Sequence, residues 1–367
     1  MMHYIIFSGA NERAVIAAAK NLLKNGKKFS IIARSSNDVI YKSFLKKYVF
    51  INREEETIDL DDIINCLIKI QDKIKDELFY LPTTESINRL FLENKGVILS
   101  RCKINISIPD IDNYKILSDK LNFINLAKEF GIIAPDEILN PFECSLPIVA
   151  KPKFEFDKFG RKIYPELIFT DSQRKSFLSK NSEENFFFQN YIDGQSYYYL
   201  FFFKKNGEVC SLFQKNIAQQ PNGKSILLAE LCECPSNIFL NKIKKCISSV
   251  NFYGFCMVEL IIKDGKDYLI ELNPRLWGPF DLAVKGGFSV DWLEKDDFQF
   301  YPSKINGRGK YSWLSGILKT KKNKGVIRWF PGQKKNYFLN LYKFIKNDVY
   351  LEDPKTWKIF IKEITGS

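Results

Sequence analysis

Apolar residues along this chain fall into two rhythms. In the first hundred residues, short and nearly continuous runs alternate with stretches of helical spacing. The runs are HYIIFS (3–8), KFSIIA (28–33), YVFI (48–51) and ELFYLPT (77–83); the helical stretches include NERAVIAAAKNLLKNG (11–26) and LDDIINCLIKIQDKI (60–74). Continuous apolar runs suit strands covered on both faces, and strand–helix alternation predicts a parallel α/β sheet. Gly26 supplies a helix stop. From 107 the rhythm changes. SIPDIDNYKILSDKLNFINLAKEFGIIAPDE (107–137) predicts two helices ending at Gly131 and Pro135. Strands are then expected at LPIVAKPK (146–153) and ENFFFQNYIDG (184–194), and a hairpin at 196–216 around Asn206-Gly207. A helix over 239–254 leads to a last hairpin, FCMVELIIKDGKDYLIELN (255–273). This second half is antiparallel, so a boundary falls near 105–110. Three units are expected: 1–107, 108–300 and a C-terminal extension, 301–367.

Composition narrows the classes. The longest apolar runs, such as SYYYLFFF (196–203), fall far below the roughly 20 residues that span a bilayer. MMHYIIFSGANER has too short an apolar run for a signal peptide. Eight scattered cysteines without a CxxC pair predict reduced thiols and a cytoplasmic location. His3 is the only histidine, which excludes most histidine-based catalysis and His-rich metal sites. Gly9 stands alone where a dinucleotide fingerprint wants three glycines, and no acid ends the second strand, so NAD or FAD is not expected. Of the net charge of +12, residues 301–367 carry 15 Lys+Arg against 4 Asp+Glu, a surplus of 11. Two readings stay open for that tail: a solvated basic face, or a surface for an anionic partner such as a phosphorylated substrate, an acidic glycan or a membrane. Nucleic-acid binding is the weaker rival. The stretch 354–364 reads either as a basic amphipathic helix or as packed core.

Candidate chemistry gathers at YLIELNPRLWG (268–278). Residues two apart on a strand share a face, so Glu271 and Asn273 point the same way. Pairing parity decides whether Glu259, on the preceding strand, joins them. A two-residue turn would pair 259 with 270 and separate the glutamates. A three-residue turn closed by Gly265 puts all three on one face, and that turn is predicted. Three converging oxygen donors suit Mg²⁺. Arg275 lies within reach to neutralise a phosphoryl group. The competing reading is that both glutamates face solvent. Lys151, closing an apolar strand, and Lys120, at a helix start, would be the minimum cations for nucleotide phosphates.

In this order the motifs resemble the ATP-grasp superfamily, above all the ATP-dependent carboxylate–amine ligases related to biotin carboxylase. SDK…GIIAP, PIVAKP, FFFQNYIDG and GFCMVELIIKDGKDYLIELNPRLWG carry the resemblance, with LPTTES, QQPNGKS and YLEDPKTW in support. The implied fold is an α/β parallel-sheet pre-ATP-grasp domain followed by an α+β ATP-grasp fold of two lobes. The small lobe with its lid would take about 120–192 and the large lobe about 193–300; the basic extension would pack on them. The implied cofactors are ATP and two Mg²⁺, for which Mn²⁺ substitutes. Lys120 and Lys151 would contact phosphates, and Gln189, Asn190, Tyr191 and Ile192 would form the adenine hinge. Glu259, Glu271 and Asn273 would hold metal. Arg275 would stabilise the transferred phosphoryl, and Lys215 would add a further contact. Gln189 stands where the family usually has Glu. The segment 153–162 has one glycine where a glycine-rich lid is usual, which makes Lys158, Arg161 and Lys162 candidate phosphate contacts.

The implied reaction joins a carboxylate, activated as an acyl phosphate, to an amine. Substrates would be small molecules or glycan-linked acids such as amino acids or uronic acids. The alternatives are biotin-carboxylase-like carboxylation and a non-catalytic ATP-binding scaffold. A cytoplasmic protein, peripheral at the membrane if the tail binds there, completes the expectation.

Overall fold

The computed structural model describes residues 2–55, 57–153, 163–295, 297–302 and 309–365. The lid candidates Lys158, Arg161 and Lys162 lie outside the described residues. The first sheet contains β1 (Met2–Phe7), β2 (Lys28–Ala33), β3 (Val49–Asn52), β4 (Glu77–Tyr80) and β5 (Ile104–Asn105). It is parallel throughout, in the order β3-β2-β1-β4-β5. Helices α1 (Glu12–Lys24), α2 (Leu60–Lys73), α3 (Glu85–Glu93) and α4 (Lys95–Arg101) alternate with those strands. Ile5, Phe7, Ile32, Leu78 and Tyr80 bury one face under α2 and α3. Ala14, Val15, Ala18 and Leu22 of α1 cover the other. The apolar runs on both faces are thus explained, as a parallel sheet requires.

Two helices, α5 (Ile111–Ser118) and α6 (Lys120–Glu129), lead into a small antiparallel sheet. Its strands β6 (Glu137–Ile138), β7 (Ile148–Pro152), β8 (Glu166–Ile168) and β9 (Phe186–Asn190) run in the order β6-β9-β7-β8, with α7 (Asp171–Lys180) packed on it through Phe177. The larger sheet takes β10 (Gln195–Phe203), β11 (Val209–Gln219), β12 (Ile226–Cys232), β13 (Gly254–Lys263) and β14 (Lys266–Asn273), with α8 (Asn237–Ser248) on one face. Its order is β14-β13-β10-β11-β12. Gly194, before β10, admits no side chain, because a Cβ there would stand 2.4 Å from the carbonyl oxygen of Ile262.

The C-terminal segment is built into this frame. After α9 (Phe280–Lys285), β15 (Lys310–Ser312) extends the large sheet beside β12, and α10 (Leu314–Lys322) follows. A two-residue strand, β16 (Arg328–Trp329), pairs with β11 where a bulge at Ile217 interrupts the β11–β12 pairing. Helices α11 (Gln333–Leu339), α12 (Leu341–Lys346) and α13 (Trp357–Thr365) complete the chain. Of the two readings for 354–364, α13 fits the packed one. Ile359 is fully buried, and Glu363 accepts hydrogen bonds from Trp313, Ser315 and Tyr350. All eight cysteines are free thiols. Among the described residues, no helix is long and apolar enough to cross a membrane.

Candidate active site

The hairpin β13–β14 reaches the expected facing by a different route. Lys263 pairs with Lys266, so the turn has two residues, not three. Asp264 (φ 49°) and Gly265 (φ 73°) both take left-handed backbone, the requirement of a type I′ turn. That pairing continues to Leu260 with Leu269, and would next set Glu259 against Ile270. A β-bulge intervenes instead: Ile270 is left over, and Glu259 pairs with Glu271. Met257 then pairs with Asn273. The bulge, not the turn, supplies the odd residue that puts Glu259, Glu271 and Asn273 on one face. It also serves the small lobe, because the carbonyl of Ile270 accepts a hydrogen bond from Lys151 Nζ at 3.0 Å.

Both carboxylates are held by neutral donors. Ser196 Oγ donates to Glu259 Oε1 at 3.0 Å, Asn216 donates to Ser196, and Gln214 donates to Asn216. These residues sit on the Glu259 face of β10 and β11 and are fully buried. Asn273 Nδ2 donates to Glu271 at 2.8 Å, while its Oδ1 accepts from Arg275 at 3.0 Å. Burial, and then the facing Glu271, push the carboxyl of Glu259 up to about 7. Burial pushes the ammonium of Lys151 down to about 8, against the pull of Glu271. The two carboxylates stand face to face, one buried and one half-buried, with Lys151 offsetting only part of their charge, and the donor set of two carboxylates and an amide is hard oxygen. This is the environment a divalent cation fits. No group of three or more His, Cys, Asp or Glu with metal-holding geometry occurs among the described residues.

Two cavities meet at Glu271. The smaller, about 80 Å³, is enclosed by Val149, Lys151 and Gln189 of the small lobe and Glu259, Ile261 and Ile270 of the large one. Asn190, Tyr191 and Ile192 also line it. Gln189 is fixed by a bond from its Nε2 to the carbonyl of Pro135 at 3.0 Å, and its buried Oε1 has no partner. The larger cavity, about 1000 Å³, is bordered by Lys120, Asn273 and Arg275. Asp119 caps α6 by accepting from Leu121 and Asn122 N–H, which fixes where Lys120 leaves the chain.

One expected contact is not brought to the site. Lys215 pairs with Tyr197, whereas Glu259 pairs with Tyr198, so Lys215 leaves the sheet on the opposite face, near Cys232. The period-2 geometry of β10 and β11 removes it from the phosphate side. Residues outside the predicted set also line the cavities, among them Tyr198, Arg13, Trp277 and Arg328. Tyr198 lies near Glu259, Glu271, Arg13 and Arg275, and burial together with the two carboxylates holds its hydroxyl neutral. Arg328 reaches the hinge from the C-terminal segment, its guanidinium 5.0 Å from the Tyr191 ring and 4.0 Å from Asp193.

Residues 117–279 match the family model described as ATP-grasp domain, and the segment has that fold. The solved structures agree on the fold. Biotin carboxylase from Campylobacter jejuni aligns with a TM-score of 0.59 at 15% identity, over 83% of this chain and 72% of that one. The L-amino acid ligase from Bacillus licheniformis aligns at 0.57 and 14%, over 80% and 74%. N5-carboxyaminoimidazole ribonucleotide synthetase from Thermus thermophilus aligns at 0.55 and 13%, over 81% and 77%. A comparison with curated protein sequences gave no match.

Proposed function

We propose that the protein is an ATP-dependent carboxylate–amine ligase. It forms an amide bond and releases ADP and phosphate, and its substrates are small molecules or glycan-linked acids. The observation that carries this reading is the facing of Glu259, Glu271 and Asn273 beneath Lys151, where two lobes meet. The family match over 117–279 supports it, as do the three similar structures: an L-amino acid ligase, a ribonucleotide synthetase and a biotin carboxylase in complex with an ATP analogue.

In this reading the adenine lies in the small cavity, and the unpaired Gln189 Oε1 accepts from its amine, with Asn190 to Ile192 as the hinge. Lys151 and Lys120 bind phosphate oxygens. Glu259, Glu271 and Asn273 hold Mg²⁺, or Mn²⁺ in its place. The metal supplies charge neutralisation and orientation of the phosphates when bound. Arg275, held in plane by Asn273 and the Leu276 carbonyl, points a guanidinium at the group in transfer. The neutral Tyr198 hydroxyl donates a hydrogen bond to the reacting carboxylate. That carboxylate takes the γ-phosphoryl group, and the amine then displaces phosphate from the carbonyl carbon, so no protein nucleophile is needed.

The basic extension contributes peripheral binding to an anionic membrane surface. Residues 314–347 contain nine Lys or Arg and no Asp or Glu. Phe338, Leu339 and Tyr342 are 60%, 74% and 75% exposed beside Lys334, Lys335, Lys343 and Lys346. Exposed aromatic and aliphatic side chains among lysines fit a lipid surface better than a nucleic acid. The ligase reading is tested by incubating the protein with Mg-ATP and pools of amino acids and uronic acids. ADP and phosphate release that needs both an acid and an amine is expected. Tight ATP binding without release in any pool would overturn it.

A further inference from the structure

Arg13 lines the larger cavity, which the hinge residues Gln189 to Ile192 do not border. Its position is fixed from several directions. Asn11, in left-handed backbone (φ 57°), donates through Nδ2 to the carbonyls of Thr83 at 2.9 Å and Leu276 at 3.0 Å. This ties the start of α1 to the loop that follows Asn273. Arg13 Nη1 donates to Tyr311 Oη at 2.9 Å and to the carbonyl of Ile226 at 3.3 Å, and Nη2 donates to Ser225 Oγ at 2.9 Å. The guanidinium stacks over Trp313 at 3.9 Å, and Trp313 is itself anchored to Glu363 of α13. Its N–H donors thus meet three oxygens, and every acceptor is neutral. Among the described residues, no carboxylate lies within ion-pair distance of Arg13. Glu363, whose charge reaches Arg13, is engaged by Trp313, Ser315 and Tyr350.

Two further features border the same space. Trp277 is buried at the cavity wall, and its indole Nε1 has no hydrogen-bond partner. Gly278 gives the guanidinium room, since a Cβ at 278 would stand 2.9 Å from Arg13 Nη2. The other guanidinium groups on the wall are committed elsewhere. Arg89 is paired with Glu85 and Ser118, and Arg275 is held beside Glu271 by Asn273. Arg13 is half-buried, and three of its five N–H donors are engaged, which leaves donors for an anion that enters the cavity.

We infer that Arg13, beside Trp277, binds a second anionic group, a carboxylate or phosphate, on the acid or the amine substrate, in addition to the carboxylate that reacts. This rests on the ligase reading for its place in a reaction, and the subsite itself can be tested without turnover. The C-terminal segment then has a role beyond its charge: Tyr311 and Trp313 form the support on which Arg13 is presented.

The binding arm uses ¹⁵N-labelled full-length protein with inorganic phosphate and, separately, succinate as probes. The chain has five tryptophans, and the Trp277 Nε1–H resonance is assigned by its loss in Trp277→Phe. A saturable shift of that resonance in the millimolar range is expected in the wild type, reduced at least tenfold in affinity in Arg13→Ala and partly restored in Arg13→Lys. The turnover arm compares ADP release with neutral monocarboxylic acids, dicarboxylic acids and phosphorylated carboxylic acids, which distinguishes the two anion sources. Arg13→Ala is expected to raise KM for the preferred anionic substrate at least thirtyfold, with kcat within threefold. A Trp277 resonance that neither probe moves overturns the subsite, whatever the turnover. So does ADP release confined to neutral monocarboxylic acids and indifferent to Arg13→Ala. A shift that depends on Arg13, with no ADP release in any pool, keeps the subsite and overturns the ligase reading.

Discussion

Replacing Glu259 by Gln should make the metal-free protein more stable while abolishing its response to Mg-ATP. Burial and the facing Glu271 raise the Glu259 carboxyl from 4.5 to about 7. That change corresponds to about 3 kcal/mol of destabilisation of the folded state once Glu259 is ionised. Glutamine removes the charge and keeps an acceptor for Ser196, at a cost of up to about 1 kcal/mol for the weaker bond. The net gain above pH 7 is about 2 kcal/mol, or a rise in Tm of about 2–4 °C. The pH dependence follows from the direction of the shift. The folded state holds its proton more tightly than the unfolded state, so the wild type loses stability as pH rises from about 4.5 to about 7 and levels off above. The difference between Glu259→Gln and wild type should therefore vanish near pH 5, grow to pH 7 and then stay constant. Thermal melts in EDTA across pH 5 to 8.5 measure it, and repeating them with Mg-ATP should stabilise only the wild type. A variant less stable than wild type at pH 8, or a difference independent of pH, would refute the reasoning.

Three further outcomes are expected. Because burial lowers the Lys151 ammonium to about 8, ADP affinity should decline as pH rises through that value; Lys151→Met should bind at least tenfold more weakly and lose the dependence, by calorimetry. Lys215→Ala should leave turnover within twofold, since its side chain lies on the opposite face of the sheet; a tenfold loss would contradict that placement. Changing Lys334, Lys335, Lys343 and Lys346 together to Glu should abolish sedimentation with anionic phosphatidylserine vesicles without changing ATP affinity.

The parallel sheet was legible because its strands are apolar on both faces, and the hinge strand because Phe186–Asn190 is bounded by Asp193-Gly194. The metal face was legible in outcome but not in route. Nothing in IIKDGKDYLIEL marks Ile270 as a bulge, and the Asp264-Gly265 signal belongs to a two-residue turn that alone would have separated the glutamates. Lys215 rested on the family resemblance alone, and its face is set by the pairing of β11 with β10, which the sequence does not display. Arg13, Tyr198 and Arg328 lie far apart in sequence and meet only in the folded chain, so no local spacing could announce them. In the tail, charge was visible, while the strand pairings of β15 and β16 and the support of Arg13 by Trp313 depend on tertiary contacts.

The most direct test of the central claim follows oxygen. An acid substrate found by the ADP assay is labelled with ¹⁸O in its carboxylate and incubated with Mg-ATP and its amine. Acyl-phosphate activation predicts one ¹⁸O in the released phosphate for each amide formed, with no transfer in Glu271→Gln. Release of unlabelled phosphate, or wild-type transfer in Glu271→Gln, would contradict the account.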